Sequence, residues 1–193
     1  MQNSPIWGSH QTIEFPDGYT LKGGRDTSTS RFEMFSLPDD LSGQSVLDIG
    51  CNIGSIAMEC KKRNASRVLG LDYSPGLVDC ASGLAKIFDL DIEYRLFNIA
   101  NDSIDEEFDY VFLLNVFHHL DEQSRVSILR TLSRITKKKL LFEAPVADDI
   151  IAKTGVCFRT EDYLSYFKGF TDFKNIELVG YTDFKRPLIV CEV

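Results

Sequence analysis

The chain predicts one α/β domain built on an open, mostly parallel sheet, and three features of its order carry that expectation. Short apolar runs alternate with stretches of helical periodicity, giving five strand-then-helix steps. The run 108–114 is apolar on both faces except at Asp109, as suits a central parallel strand covered by helices on both sides. The last two apolar runs, 176–181 and 188–193, are joined by residues 182–187, too short a link for a crossover helix, so they close the sheet as an antiparallel hairpin. With 193 residues, 44% of them hydrophobic, the chain is long enough for one substantial core.

The elements follow in order. Val46-Leu47-Asp48-Ile49 is a buried strand that ends in glycine, and Ile53, Ile56, Ala57 and Cys60 then recur at helical spacing, with Lys61-Lys62-Arg63 suited to the helix C-terminus. Val68-Leu69-Gly70-Leu71-Asp72 is the second strand. Ser74-Pro75 supplies an N-cap and a first-turn proline for a helix whose inner face is Leu77, Val78, Ala81, Leu84, Ala85 and Phe88. Ile92, Tyr94 and Leu96 alternate as a third strand, and the run 108–114 is the fourth. Val126, Leu129, Leu132 and Ile135 mark the next helix, with Lys137-Lys138-Lys139 as its solvated end, and Leu140-Leu141-Phe142 is the fifth strand. Thr160 opens a further helix facing inward with Tyr163, Leu164, Phe167 and Phe170. Residues 1–40 are punctuated by Pro and Gly and read as a separate lid over the sheet's C-terminal edge, with residues 41–193 as the domain proper.

Composition narrows the partners. A formal charge of −8 disfavours extended nucleic-acid binding. Five cysteines without a CxxC pair read as reduced thiols of a cytoplasmic protein. No basic start followed by an apolar run, and no long uninterrupted apolar window, supports a signal peptide or a membrane span. Nothing fixes the oligomeric state.

The chemistry concentrates where strands end. In Asp48-Ile49-Gly50-Cys51-Asn52-Ile53-Gly54 a strand runs through a glycine-bearing turn into a helix, an arrangement that brings backbone and helix N–H groups close to a ligand. Several kinds of nucleotide-binding fold use such a turn. Asp72, at the tip of the second strand, is placed to accept two hydrogen bonds from a ribose diol, a need shared by dinucleotide enzymes. Asn98, after the third strand, has an amide acceptor, though a turn asparagine reads the same way. The fourth strand ends in Asn115-Val116-Phe117-His118-His119, and histidine titrates near neutrality.

These residues together resemble the class I, Rossmann-like S-adenosylmethionine-dependent methyltransferases. The resemblance rests on Asp48, Gly50 and Gly54 with small residues between, and on a strand followed by Asn-Val-x-x-His; the sequence departs by placing Asn52 where glycine is usual. It implies a seven-stranded sheet of order 3-2-1-4-5-7-6. It also implies S-adenosyl-L-methionine as cofactor and S-adenosyl-L-homocysteine as product, with Asp48 facing the cofactor's amino group. Gly50, Cys51, Asn52 and Gly54 would lie beside its amino-acid portion, Asp72 at the ribose, and Tyr73, Asn98 and Ile99 around adenine, with Asn115 a further cofactor-binding residue. His119 and then His118 are the candidate bases for an acceptor hydroxyl, against an equal reading in which one histidine caps a helix and the other packs under the cofactor. The implied reaction moves a methyl group to oxygen or nitrogen of a small-molecule acceptor. Methylation of an RNA nucleoside or a protein, a non-catalytic cofactor-binding partner subunit, and an NAD(P) oxidoreductase are the alternatives.

Asn115 beside two histidines makes a poor hard-cation site, so no metal is expected. The adenine-N6 DNA methyltransferase signature is absent, because Asn115-Val116-Phe117 has no proline. Residues 7–31 bear a local resemblance to the lead-in of wobble-uridine tRNA methyltransferases, whose basic surface this acidic chain lacks. Lys22, Arg25 or Arg31 is a candidate partner for a cofactor carboxylate, against simple solvation. Glu143 is a candidate acceptor contact, and Trp7, Tyr19, Phe117, Phe158 and Tyr163 are candidate pocket aromatics.

Overall fold

The computed structural model describes residues 13–15, 18–21, 28–147, 158–182 and 184–193. Strands β1 (Ile13–Glu14) and β2 (Thr20–Leu21) form a small antiparallel pair, and α1 (Ser28–Met34) follows. The chain continues through β3 (Ser45–Ile49), α2 (Ser55–Lys62), β4 (Arg67–Asp72), α3 (Pro75–Ile87), β5 (Glu93–Leu96) and β6 (Phe108–Leu114). It ends with α4 (Glu122–Ile135), β7 (Thr136–Glu143), α5 (Thr160–Phe170), β8 (Asn175–Tyr181) and β9 (Pro187–Glu192). Strands β3 to β9 lie in the order β5-β4-β3-β6-β7-β9-β8, which is 3-2-1-4-5-7-6 counted within the sheet. All neighbours are parallel except β9, which runs antiparallel to β7 and β8. The expected fold class is the observed one, terminal hairpin included.

The central strands are apolar on both faces because alternate side chains feed two separate cores. Leu47, Leu69, Val111, Leu140 and Phe142 pack with Leu129 and Leu132 of α4 and with Tyr163 and Phe167 of α5. Val46, Val68, Phe112, Leu141 and Val190, on the other face, meet Ile56 and Ala57 of α2 and Phe32 and Phe35 of α1. Helix α1 is thus a working part of the core, beyond the lid expected of residues 1–40. The β1–β2 pair touches the domain through Phe15, whose ring lies 5.7 Å from that of Phe88.

Several local expectations are corrected. Ser74 precedes α3 but its side chain makes no capping hydrogen bond, since the backbone there is held by Asp72 instead. Lys137, Lys138 and Lys139 belong to β7 and not to a helix end. Helix α4 closes at Ile135, where the Thr136 hydroxyl donates to the Leu132 carbonyl at 2.7 Å, and the next residue is already extended. Lys137 and Lys138 then reach Asp109 at 3.6 and 3.7 Å, and Lys139 reaches Glu192 at 3.0 Å. Leu96 is exposed because β5 is an edge strand, and Phe170 is partly exposed at the last turn of α5. Phe117 and Tyr163 are fully buried core residues. Phe158 packs on Tyr163 and Tyr166, and Tyr19 is exposed. Cys51, Cys60, Cys80 and Cys191 are free thiols, as expected. Trp7, Lys22, Arg25 and Cys157 lie outside the described residues. Among the described residues no helix is long and apolar enough to cross a membrane.

Candidate functional site

The turn leaving β3 is built from residues that tolerate left-handed backbone. Gly50, Asn52 and Gly54 have φ of 75°, 54° and 83°. Asn52 stabilises its own conformation, its Oδ1 accepting the Ile53 N–H at 2.9 Å. The glycines' lack of a Cβ also matters on the protein side of the turn. A Cβ on Gly50 would lie 2.2 Å from Val116, and one on Gly54 would lie 2.2 Å from the Tyr94 hydroxyl. The small residues therefore admit protein side chains packed behind the turn.

Asp72 ties the turn to the next strand. Its Oδ2 accepts the Asn52 N–H at 2.9 Å and its Oδ1 accepts the Ser74 N–H at 3.0 Å. Asp48 sits one strand away and is 2% exposed. It accepts the Ala57 N–H, so a free donor in the first turn of α2 meets this carboxylate rather than an incoming ligand. Its Oδ2 is buried with no hydrogen-bond partner among the described residues. Burial, then the charge of Asp72, push the Asp48 carboxyl up to about 7 against the pull of the Ala57 N–H.

A cleft of about 940 Å³ opens over these strand tips, near the top of the ~300–1,000 Å³ that ligand sites occupy. Asp48, Gly50, Asn52, Asp72, Tyr73, Asn98, Ile99, Asn115 and His119 line it, while Cys51, Gly54 and His118 are not among its lining residues. Cys51 is buried, and burial raises its thiol above the ordinary range. Tyr73 is 77% exposed and lies open along the wall. Asn98 sits in a turn, its Oδ1 accepting the Ala100 N–H at 3.0 Å and its N–H donating to Asp102 at 2.7 Å. One lone pair of that amide oxygen remains for a ligand donor.

The turn after β6 carries the histidines. Residues Phe117–His119 form a single 3-10 turn, and the His118 and His119 rings lie 3.8 Å apart. Burial holds His119 below the ordinary histidine range, so at pH 7 it is neutral and able to accept a proton.

A charged cluster anchors this turn and escaped the sequence reading as a unit. Asn115, at φ 60°, donates from Nδ2 to Glu143 Oε1 at 2.9 Å and accepts from Arg186 Nη1 at 2.7 Å. Glu143 is fully buried. It also pairs with Arg31, whose Nε lies 2.8 Å from Oε2 and whose Nη2 lies 3.2 Å from Oε1. Arg31 is 8% exposed, so simple solvation is overturned for it. The partners are 112, 71 and 28 positions apart, and the only sequence signal was a charge closing an otherwise apolar strand. Among the described residues no three His, Cys, Asp or Glu side chains gather as a metal cluster.

Residues 46–139 match the model of a methyltransferase domain. The chain is 32% identical over 127 residues to the magnesium-protoporphyrin O-methyltransferase of Rhodobacter capsulatus, covering 64% of this chain and 54% of that one. It is 27% identical over 135 residues to the ribosomal protein L11 methyltransferase of Thermotoga maritima, covering 69% and 46%. The chain spans about half the length of these curated relatives. Among solved structures, the magnesium protoporphyrin IX methyltransferase of Synechocystis with bound S-adenosylmethionine superposes with a TM-score of 0.66 at 17% identity, covering 84% of this chain and 76% of that one.

Proposed function

The chain belongs to the class I, Rossmann-like S-adenosylmethionine-dependent methyltransferase family, and from that premise we propose that it transfers the methyl group of S-adenosylmethionine to an oxygen or nitrogen of a small-molecule acceptor, releasing S-adenosylhomocysteine. One observation carries the reading. Two carboxylates at neighbouring strand tips flank a left-handed turn, and one of them, Asp48, keeps a buried oxygen with no partner among the described residues. An orphaned buried acceptor is costly unless a ligand donor completes it, and a ligand ammonium does so. Asp72 spends one lone pair of each oxygen on backbone N–H groups and keeps one of each for a ribose diol. Tyr73, Asn98 and Ile99 line the adjoining wall, where an adenine would lie.

The bound sulfonium supplies an electrophilic methyl. The chain's own part is alignment and proton removal. The rigid turn 50–54 and Asp72 hold the donor side, and neutral His119 takes the proton from an acceptor O–H or N–H as the new bond forms. His118, whose ring lies tilted against it at 3.8 Å, restrains the ring.

Calorimetric titration with S-adenosylhomocysteine, NADH and NADPH tests the cofactor, with binding of the thioether alone as the expected result. Binding of a dinucleotide and not the thioether defeats the proposal. Release of labelled methyl across pools of small molecules, RNA and protein then tests the acceptor class, and a cofactor-saturated protein inert on every pool defeats the enzymatic reading in favour of a partner subunit.

A further inference from the structure

The cleft has two halves with different chemistry. The half over β3, β4 and β5 carries Asp48 and Asp72. The half over β6 and β7 carries His119 and, set into the wall, Arg31. Strand registers place Asp72 and Glu143 in one cross-sheet row, separated by β3 and β6. Three strand spacings put the Arg31–Glu143 pair ~14 Å from the ribose acid.

Arg31 is nine-tenths buried, an expensive location for a guanidinium unless its donors are used. Glu143 takes its Nε–Nη2 edge. Arg31 lines the cleft, and its Nη1 makes no hydrogen bond to any described residue, so the Nη1–Nη2 edge is the one open to a ligand there. The compensation Glu143 offers is divided, because the same carboxylate accepts from Asn115 and lies 4.0 Å from Arg186 Nη1. The other acid on this wall, Asp121, is occupied by the Ser124 N–H at 2.8 Å. A planar, permanently charged edge with two parallel donors matches the oxygens of a carboxylate or a phosphate, and a lysine ammonium would not reproduce that fork.

We infer that the methyl acceptor carries a carboxylate or phosphate group, read by the outer edge of Arg31 on the β7 side of the cleft. This rests on the methyltransferase reading. It makes Arg31 a specificity-determining residue: the anion docks on the guanidinium, and the group to be methylated is thereby placed near His119.

The test uses the full chain saturated with S-adenosylhomocysteine, titrated in a calorimeter with phenyl phosphate, benzoate and the neutral benzyl alcohol. Saturable binding of at least one anion with no binding of benzyl alcohol is expected. Arg31→Lys keeps the charge beside Glu143 but loses the fork, and it should weaken anion binding at least about tenfold while S-adenosylhomocysteine affinity stays within about threefold. Arg31→Gln should abolish anion binding. Equal binding of anion and alcohol, or no anion binding, overturns the inference. So does a tenfold loss of S-adenosylhomocysteine affinity in Arg31→Lys with anion binding unchanged, which assigns the free edge to the cofactor's own carboxylate. Failure of wild-type protein to bind S-adenosylhomocysteine at all strikes the underlying methyltransferase reading instead.

Discussion

Asp48 is the residue whose titration most directly reports the site. Burial and the Asp72 charge raise it to about 7, and Cys51, Cys60 and Tyr94 are the other titratable groups around it. A carboxyl raised in the folded state contributes stability below its unfolded value of ~3.9 that is lost as pH rises through about 7. Cofactor binding has the opposite sign, because the ammonium needs the ionised form. S-adenosylhomocysteine affinity should therefore climb with pH up to about 7 and level off above it. Asp48→Asn should raise the melting temperature of the free protein at pH 8 while weakening S-adenosylhomocysteine at least about tenfold. A pH-independent affinity, or a less stable variant, would remove Asp48 from this role. His119 is separable from it by saturating the cofactor. Its value is depressed, so turnover at saturation should hold through neutrality and decline only below the ordinary histidine range. His119→Ala should cost ~10²-fold or more in kcat.

At the scale of elements, the glycine turn makes a sharp prediction. Gly54→Ala forces a Cβ into the Tyr94 hydroxyl and holds alanine at φ 83°, so it should destabilise by ~1–3 kcal/mol. Tyr94→Ala opens that space. In a double-mutant cycle the two changes should couple favourably, leaving chiefly the backbone strain, whereas additive losses would show that Tyr94 is not what the glycine accommodates. This packing was invisible in the sequence, where Gly50 and Gly54 read as ligand-facing. The strands and helices themselves were legible, because Leu47, Leu69 and Val111 or Leu129 and Leu132 repeat at spacings that only a sheet face or a helix face explains. Lys137–Lys139 misled because a cationic run at a helix end and on a half-exposed strand look alike until the cap at Thr136 is seen. The Arg31–Glu143–Asn115–Arg186 cluster joins four segments distant in sequence, and charge pairing at that range leaves no local pattern.

For the whole molecule, the question is whether the two cores and the cleft are one cooperative unit. Phe32 of α1 is 1% exposed, lies 5.9 Å from the Phe112 ring and sits under Arg63 at 4.8 Å. Phe32→Ala should cost ~3–5 kcal/mol. At ~2–4 °C per kcal/mol for a chain of this size, that is a drop in melting temperature on the order of 10 °C. S-adenosylhomocysteine at a hundred times its Kd adds ~2.7 kcal/mol to any fold that binds it, whereas NADH should add nothing. The donor-side acids stand on β3 and β4, not on α1, so the variant should melt lower yet keep the full ligand-induced rise. Arg31 is carried on α1 beside Phe32, so the same variant should bind benzoate and phenyl phosphate more weakly than wild type. A Phe32→Ala protein that loses the thioether-induced rise would mean that α1 holds the donor half as well. The residues before position 41 would then build the cofactor cradle itself rather than the acceptor wall alone.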